Sequence, residues 1–237
     1  MNPFLTAEWL KLAMVNYEID PSVLKPYIPS KTELDLYNNV CYTSLIGFRF
    51  WNTRVRNIAI PYHTDFEEIN LRFYVRYKEQ GHWQRGVVFI KEIVPRSAIA
   101  FIANTFYQER YQSMPTASSI TETNELLTVQ YQWGKELANK ISMNAQPVSH
   151  PIIEGSEEEF ITEHYWGYSK QKDNSTKEYK VEHPRWNIYP VKDYSIKCDF
   201  KNLYGHSFSM LQYSQPLSVL LAEGSAVKVY AGKKISL

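Results

Sequence analysis

Short runs in which apolar and polar residues alternate recur along most of the chain, and this two-residue period is typical of β-strands. Turn-forming residues separate the runs and join them mostly in pairs, which predicts hairpins and antiparallel pairing. The predicted strands are Thr32–Leu36, Val40–Thr53, Phe66–Tyr77, Gly86–Val94, Glu125–Trp133, Leu137–Gln146, Tyr165–Lys170, Glu178–His183, Tyr194–Phe200, Leu217–Leu221 and Ala226–Tyr230. We expect the last two to be separated by a turn at Glu223-Gly224-Ser225.

Helical signals are few and short. Apolar residues recur at helical spacing over Ser97–Tyr107, Ser156 begins a capping box followed by three glutamates, and Lys201–Tyr204 reads as a single turn before Gly205. Strands and helices do not alternate regularly, which argues against a doubly wound parallel sheet. The pattern therefore predicts an α+β fold of mostly antiparallel β-structure, with a few short helices, in one domain over residues 1–237.

One predicted strand carries polar side chains along a whole face. Because side chains alternate along a strand, residues Phe66–Arg76 divide into two faces. The apolar face consists of Glu67, Ile69, Leu71, Phe73 and Val75, and the polar face consists of Glu68, Asn70, Arg72, Tyr74 and Arg76. If the polar face points into a barrel, its side chains line a cavity; if it points outward, it is an ordinary solvated face.

The next strand also has charge within an apolar run. A hairpin turning near Gly81 would bring Lys91 or Glu92 opposite Asn70, where cross-strand Cβ atoms lie about 4.5–5.5 Å apart. One of these two side chains is therefore expected to join the polar face of the preceding strand.

Two aromatic clusters each contain a histidine. The first includes His164, Tyr165 and Trp166, and the second includes His183 and Trp186. Strand-end packing around a hydrogen-bonded imidazole explains either cluster. The functional alternative is an aromatic ligand mouth with a group that can move a proton near neutral pH.

The composition excludes several classes of protein. The formal net charge of +1 argues against a nucleic-acid-binding surface, and we expect no membrane span, no signal peptide and a cytoplasmic location. Scattered histidines and the two distant cysteines, Cys41 and Cys198, form no metal motif, so neither a metal nor another cofactor is expected. Motifs of hydrolases, kinases and dehydrogenases are missing, and the sequence leaves a homo-oligomer open.

Six ordered motifs resemble the YqjF-like family of uncharacterised proteins. They are FLTAEW, FEEINLRFYVR, RGVVFIKEIVPR, TEHYWGY, VEHPRW and LAEGSAV, and together they extend from Phe4 to about Val229. The resemblance implies a fold similar to that of acetoacetate decarboxylase: a large antiparallel β-barrel or sandwich around a central cavity, with a few outer helices.

The resemblance also shows which chemistry is missing. The decarboxylase forms a Schiff base on the first lysine of a pair, at the end of a helix in a Gly-Phe-Pro-Lys-Lys type segment. Here the matching stretch, Phe106–Tyr111, has no lysine, and its Arg110 does not deprotonate in proteins. The adjacent pair Lys233 and Lys234 lies at the C-terminus, whereas Glu68 matches the acidic residue on the cavity strand.

Three functional hypotheses follow. The first is binding of a small molecule, with or without unassigned chemistry, in a decarboxylase-like cavity where Arg72 would hold a carboxylate. The second is a non-catalytic scaffold or oligomer component, and the third is a Schiff-base lyase that uses Lys91. The catalytic candidates are Glu68, Lys91 and His164, and the ligand-binding candidates are Glu68, Asn70, Arg72, Tyr74, Glu92, His164, Tyr165, Trp166 and His183.

Overall fold

The computed structural model describes residues 2–97 and 110–235. Within these ranges the strands are β1 (Leu5–Glu18), β2 (Thr32–Leu34), β3 (Tyr42–Val55), β4 (Phe66–Glu79), β5 (His82–Val94), β6 (Tyr111–Ser113), β7 (Thr116–Glu122), β8 (Leu127–Trp133), β9 (Asn139–Ala145), β10 (His150–Pro151), β11 (Trp166–Lys170), β12 (Thr176–Glu182), β13 (Asn187–Tyr189), β14 (Val191–Lys197), β15 (Ser218–Val229) and β16 (Lys233–Ile235). The α-helices are α1 (Pro21–Leu24), α2 (Glu157–Thr162) and α3 (Phe200–Tyr204), and 3-10 turns cover Lys25–Tyr27, Lys135–Leu137 and His206–Gln212. The helix expected over Ser97–Tyr107 falls outside the described residues beyond Ser97.

The larger sheet closes on itself into a barrel. Its strands pair in the order β15, β1, β3, β4, β5, β11 and β12, and β12 then pairs back to β15 through Val181 with Val229. Six of these seven junctions are antiparallel, and the junction of β5 with β11 is parallel. Closure removes the free strand edges that an open sheet would expose. The expected mostly antiparallel fold with few helices is confirmed.

Alternation along the barrel strands builds two hydrophobic cores. On β4, Ile69, Leu71 and Phe73 point outward into one core, whereas Phe66 and Tyr74 belong to the core on the inner side. Both faces of this strand are therefore buried over most of its length. Of the polar face predicted from the sequence, Glu68, Asn70 and Arg72 are turned into the barrel, whereas Arg76 lies outside the cavity.

A second sheet covers part of the barrel's outer wall. Its four strands pair in the order β14, β9, β8 and β7, and the apolar side of β8 and β9 contributes to the outer core. Tyr131 on β8 fixes the contact, since its hydroxyl donates to the carbonyl oxygens of Leu10 and Lys11 on β1, at 3.2 and 2.8 Å.

Helix α2 has the N-terminus that the sequence predicts. The Ser156 hydroxyl accepts a hydrogen bond from the Glu159 backbone N–H at 3.2 Å, and the Glu159 carboxylate accepts one from the Gly155 N–H at 2.6 Å. The helix packs Phe160 and Ile161 into the inner core and leads directly to His164.

The chain after Leu217 corrects one expectation. A turn was expected at Glu223–Ser225, but β15 runs unbroken through these residues and pairs with β1, with Gly224 opposite Leu10. Gly224 has a φ of +86°, and a Cβ there would collide with the Trp9 carbonyl. The glycine thus accommodates a close approach of two long strands, which looks like a turn signal in the sequence. Strand β1 itself was not predicted.

Another glycine lies at the single parallel junction of the barrel. Gly86 on β5 pairs with Trp166 on β11, and a Cβ on Gly86 would collide with the carbonyl of Trp166. Any larger residue at this position would push the two strands apart.

We therefore expect Gly86→Ala to lower the free energy of unfolding by about 3 kcal/mol or more, because backbone atoms cannot move aside as a flexible side chain can. Gly81→Ala in the adjoining hairpin is the control: its φ is +88° but nothing lies within 4 Å of the added methyl group. That change should cost only about 1 kcal/mol. Equal costs for the two variants in urea denaturation would contradict the role given to Gly86.

Candidate functional site

The lumen of the barrel holds a cavity of about 190 Å³. All seven barrel strands contribute lining residues, and Thr162 at the end of α2 and His164 contribute from one side. Most lining side chains are apolar or aromatic, and the polar ones include a row on β4 formed by Glu68, Asn70 and Arg72. A mostly apolar cavity with a few converging polar groups is the usual form of a small-molecule site.

Strand pairing decides which charge of β5 joins this row. Asn70 pairs with Glu92, and Glu92 lines the cavity. Lys91 pairs with Leu71, which lies in the outer core, and its Nζ donates to the carbonyl of Leu203. Lys91 is therefore not a cavity residue.

Glu68 is almost completely buried in the cavity wall. Asn70 Nδ2 donates to one carboxylate oxygen and the Tyr111 hydroxyl donates to the other, each at 3.1 Å. Burial raises the pKa of Glu68 to about 7, although these hydrogen bonds and the charge of Arg72 act in the opposite direction. Near neutral pH this carboxyl group can therefore both hold and release a proton.

Arg72 brings a permanent positive charge to the cavity. Its Nη2 donates to the Ile161 carbonyl of α2 at 3.2 Å, and its guanidinium lies 5.6 Å from the Tyr74 ring centroid. No Asp or Glu oxygen of the described residues lies within 4.0 Å of its nitrogens. A guanidinium cannot lose its charge in a protein, so this one is held next to an apolar space without an ion-pair partner.

His164 is buried and held by a carboxylate. Its Nε2 lies 3.3 Å from Asp35, whose same oxygen also accepts a hydrogen bond from Arg85 at 2.6 Å. Burial lowers the pKa of His164 to about 4; the Asp35 hydrogen bond opposes this shift, and the charges of Arg85 and Arg72 add to it. The neutral imidazole therefore donates from Nε2 to Asp35 and keeps Nδ1 unprotonated.

His183 lies in an aromatic stack. Its ring is 4.1 Å from that of Trp186 and nearly parallel to it, with Tyr165 at 4.8 Å on another side. Its Nδ1 lies 2.9 Å from the Pro184 carbonyl, and burial lowers its pKa. His183 and Trp186 line the cavity.

Seven of the nine residues predicted to bind a ligand line this one cavity. They are Glu68, Asn70, Arg72, Glu92, His164, Trp166 and His183. The other two, Tyr74 and Tyr165, are not among the residues that line the cavity. The Tyr74 hydroxyl is 2.7 Å from the Ser44 hydroxyl and its ring packs on His164, whereas the Tyr165 hydroxyl donates to Glu163. Their aromatic side chains position cavity residues and do not line the cavity.

Sequence reasoning missed Asp35, Tyr111 and the aromatic residues of β1 and β3. Asp35 follows the very short β2 and is brought to His164 because its backbone N–H bonds to the Tyr74 carbonyl at 3.0 Å. No local pattern marks it. The alternation Ile46, Phe48, Phe50 did carry a signal for an apolar inner wall.

Every lysine of the chain lies within the described residues, because residues 98–109, Met1, Ser236 and Leu237 include none. None of these lysines lines the cavity. Among residues 2–97 and 110–235, no three His, Cys, Asp or Glu side chains are arranged to bind a metal ion. No helix described here is long and apolar enough to cross a membrane.

The raised pKa of Glu68 predicts a pH-dependent stability. The folded protein keeps a proton that the unfolded chain loses near pH 4.5, so the contribution of Glu68 is complete below that pH and is lost as pH rises through about 7. Relative to Glu68→Gln, the wild type should lose on the order of 3 kcal/mol of unfolding free energy between about pH 5 and pH 8. Denaturant titrations at several pH values measure this difference, with Glu67→Gln on the outer side of β4 as the control. Parallel wild-type and Glu68→Gln curves would show that the pKa is not raised.

Comparison with known proteins agrees with this architecture. Residues 6–226 match the DUF2071 family, described as an uncharacterized conserved protein (COG2071). The uncharacterized protein YqjF of Bacillus subtilis (strain 168) is 32% identical over 104 residues, which are 44% of this chain and 41% of that protein. The match thus spans less than half the length of this relative.

Solved structures with the same fold are distant in sequence. Acetoacetate decarboxylase from Legionella pneumophila superposes with a TM-score of 0.64 at 13% identity, covering 99% of this chain and 88% of the other. The enduracididine biosynthesis enzyme MppR, complexed with pyruvate, gives 0.68 at 10% identity, covering 100% and 92%. An acetoacetate decarboxylase-like enzyme from Sphingomonas wittichii RW1 gives 0.65 at 8% identity, covering 100% and 94%. The chain therefore belongs to the DUF2071 family and has the acetoacetate decarboxylase-like fold.

Proposed function

We propose that the barrel lumen binds a small carboxylate, with Arg72 as the anion-binding group, and that it does so without forming a Schiff base. The main support is the position of the Arg72 guanidinium, which borders an apolar cavity and has no carboxylate of the described chain within 4.0 Å. A ligand carboxylate would supply the missing counter-charge, and a guanidinium can hold it through two parallel hydrogen bonds.

The groups around Arg72 favour this assignment. Burial draws Glu68 towards its protonated form, which reduces the negative charge beside Arg72 that would repel an anion. The carboxyl group of Glu68, whose pKa burial raises to about 7, is suited to exchange a proton with a bound ligand. MppR, which has the same fold, forms a complex with pyruvate, and this small carboxylate gives the proposal a precedent.

A Schiff-base reaction has no support in this cavity. It requires a nucleophilic lysine in contact with the substrate, and no lysine lines the lumen. Burial does lower the pKa of Lys91, but its amine lies on the outer side of β5 against Leu203. The scaffold hypothesis would favour a solid interior, so the cavity counts against it.

Thermal unfolding with a series of carboxylates tests the proposal. A ligand at 100 times its Kd adds about 2.7 kcal/mol of stability, which corresponds to a rise in Tm of about 5–10 °C for a chain of this size. We expect such a rise for at least one small carboxylate with the wild type and its loss in Arg72→Gln.

Arg76→Gln is the matched control, because Arg76 lies on the same strand but is ion-paired with Glu33 outside the cavity. It should keep the ligand-induced shift. A shift that survives in Arg72→Gln, or the absence of a shift with every carboxylate, would refute the assignment.

A further inference from the structure

Four aromatic side chains form a continuous surface inside the lumen, which we call the aromatic wall: Trp9 on β1, Phe48 and Phe50 on β3, and Phe66 on β4. The Trp9 ring meets Phe48 and Phe50 edge-on, with centroids 5.3 and 5.8 Å apart. Phe50 stacks on Phe66 at 4.7 Å. All four line the cavity, so the wall presents ring faces and edges to whatever fills it.

The aromatic wall adjoins the polar row without a gap. Phe48 pairs directly with Glu68 across β3 and β4, and Phe50 pairs with Phe66. At its other end Trp9 lies 6.3 Å from Trp186 and 6.4 Å from His183. Trp9, His183 and Arg72 all line this one cavity, so a ligand that contacts the guanidinium shares its space with the wall.

The size of the cavity limits what can lie against the wall. A dry apolar cavity of about 150 Å³ is known to hold one benzene molecule. The lumen measures about 190 Å³, which leaves room for one such ring and a short acidic arm.

We infer that the ligand is a monocarboxylate with a single aromatic ring, its ring against the aromatic wall and its carboxylate at Arg72. This inference rests on the proposed carboxylate site and adds the class of its ligand. Ring-to-ring contacts in edge-on or offset geometry favour an aromatic body over a saturated one of similar size, beyond the apolar area that both bury.

Calorimetric titration of the purified protein with acetate, phenylacetate and cyclohexylacetate tests the inference. Burial of one ring should make phenylacetate bind roughly 10- to 100-fold tighter than acetate. The preference for aromatic contacts should make it roughly 2- to 10-fold tighter than cyclohexylacetate.

Two substitutions in the aromatic wall test the ratio of the affinities for phenylacetate and cyclohexylacetate. Phe48→Leu should bring the affinities for phenylacetate and cyclohexylacetate close together, and Trp9→Leu provides a second variant if the first does not fold. Phe73→Leu is the matched control, since Phe73 is equally buried but faces the outer core from β4. It should leave the ratio unchanged.

The outcomes separate the two proposals. If acetate binds through Arg72 but phenylacetate binds no tighter, or cyclohexylacetate binds as tightly, the aromatic inference is overturned and the carboxylate site stands. A ratio unaffected by both wall variants also overturns the inference. If none of the three acids binds, the aromatic inference is overturned, and the carboxylate site falls with it only if the whole series of carboxylates also fails to shift the Tm.

Discussion

Closure of the barrel is the constraint on which the rest of the structure depends. Seven strands can enclose a lumen only if β5 and β11 approach in parallel at Gly86 and if β12 returns to β15. Once the ring is closed, every second side chain of each strand is forced inward. The inner side chains leave a cavity of about 190 Å³ between them.

Asp35, which lies beside the lumen, and Glu68 and Arg72, which line it, respond to burial in three different ways. Asp35 keeps its charge because His164 and Arg85 donate hydrogen bonds to it; burial opposes this, but the donors lower its pKa overall. Glu68 moves towards the neutral form. Arg72 can neither become neutral, since a guanidinium stays charged, nor pair its charge, since it lacks an acidic partner in the described chain. Burying such a charge costs stability, and an anionic ligand would offset that cost. Proteins often retain local strain of this kind where they bind ligands.

The fold of this chain and the side chains of its lumen give separate information. The lumen has the acetoacetate decarboxylase-like architecture, yet none of the chain's lysines lines it. The cavity lining has instead a guanidinium at Arg72 and an imidazole at His164 that is hydrogen-bonded to Asp35. Similarity to solved structures at 13% identity or less therefore indicates only the fold around the site, and the function of the site has to be argued from its side chains.

The sequence alone determined the mostly antiparallel strands, most hairpins, the capped start of α2 and the polar face of β4, because alternation and capping are local properties. It also showed that residues 106–111, which the resemblance matches to the lysine pair of the decarboxylase, contain no lysine. Only the tertiary structure decided that the polar face turns inward, that Glu92 rather than Lys91 joins it, and that Asp35 meets His164. These outcomes depend on barrel closure and strand register, which are set by contacts between residues as distant in sequence as Leu5 and Val229. Gly224 shows the same limit: a glycine that allows two strands to approach closely cannot be distinguished locally from one that makes a turn.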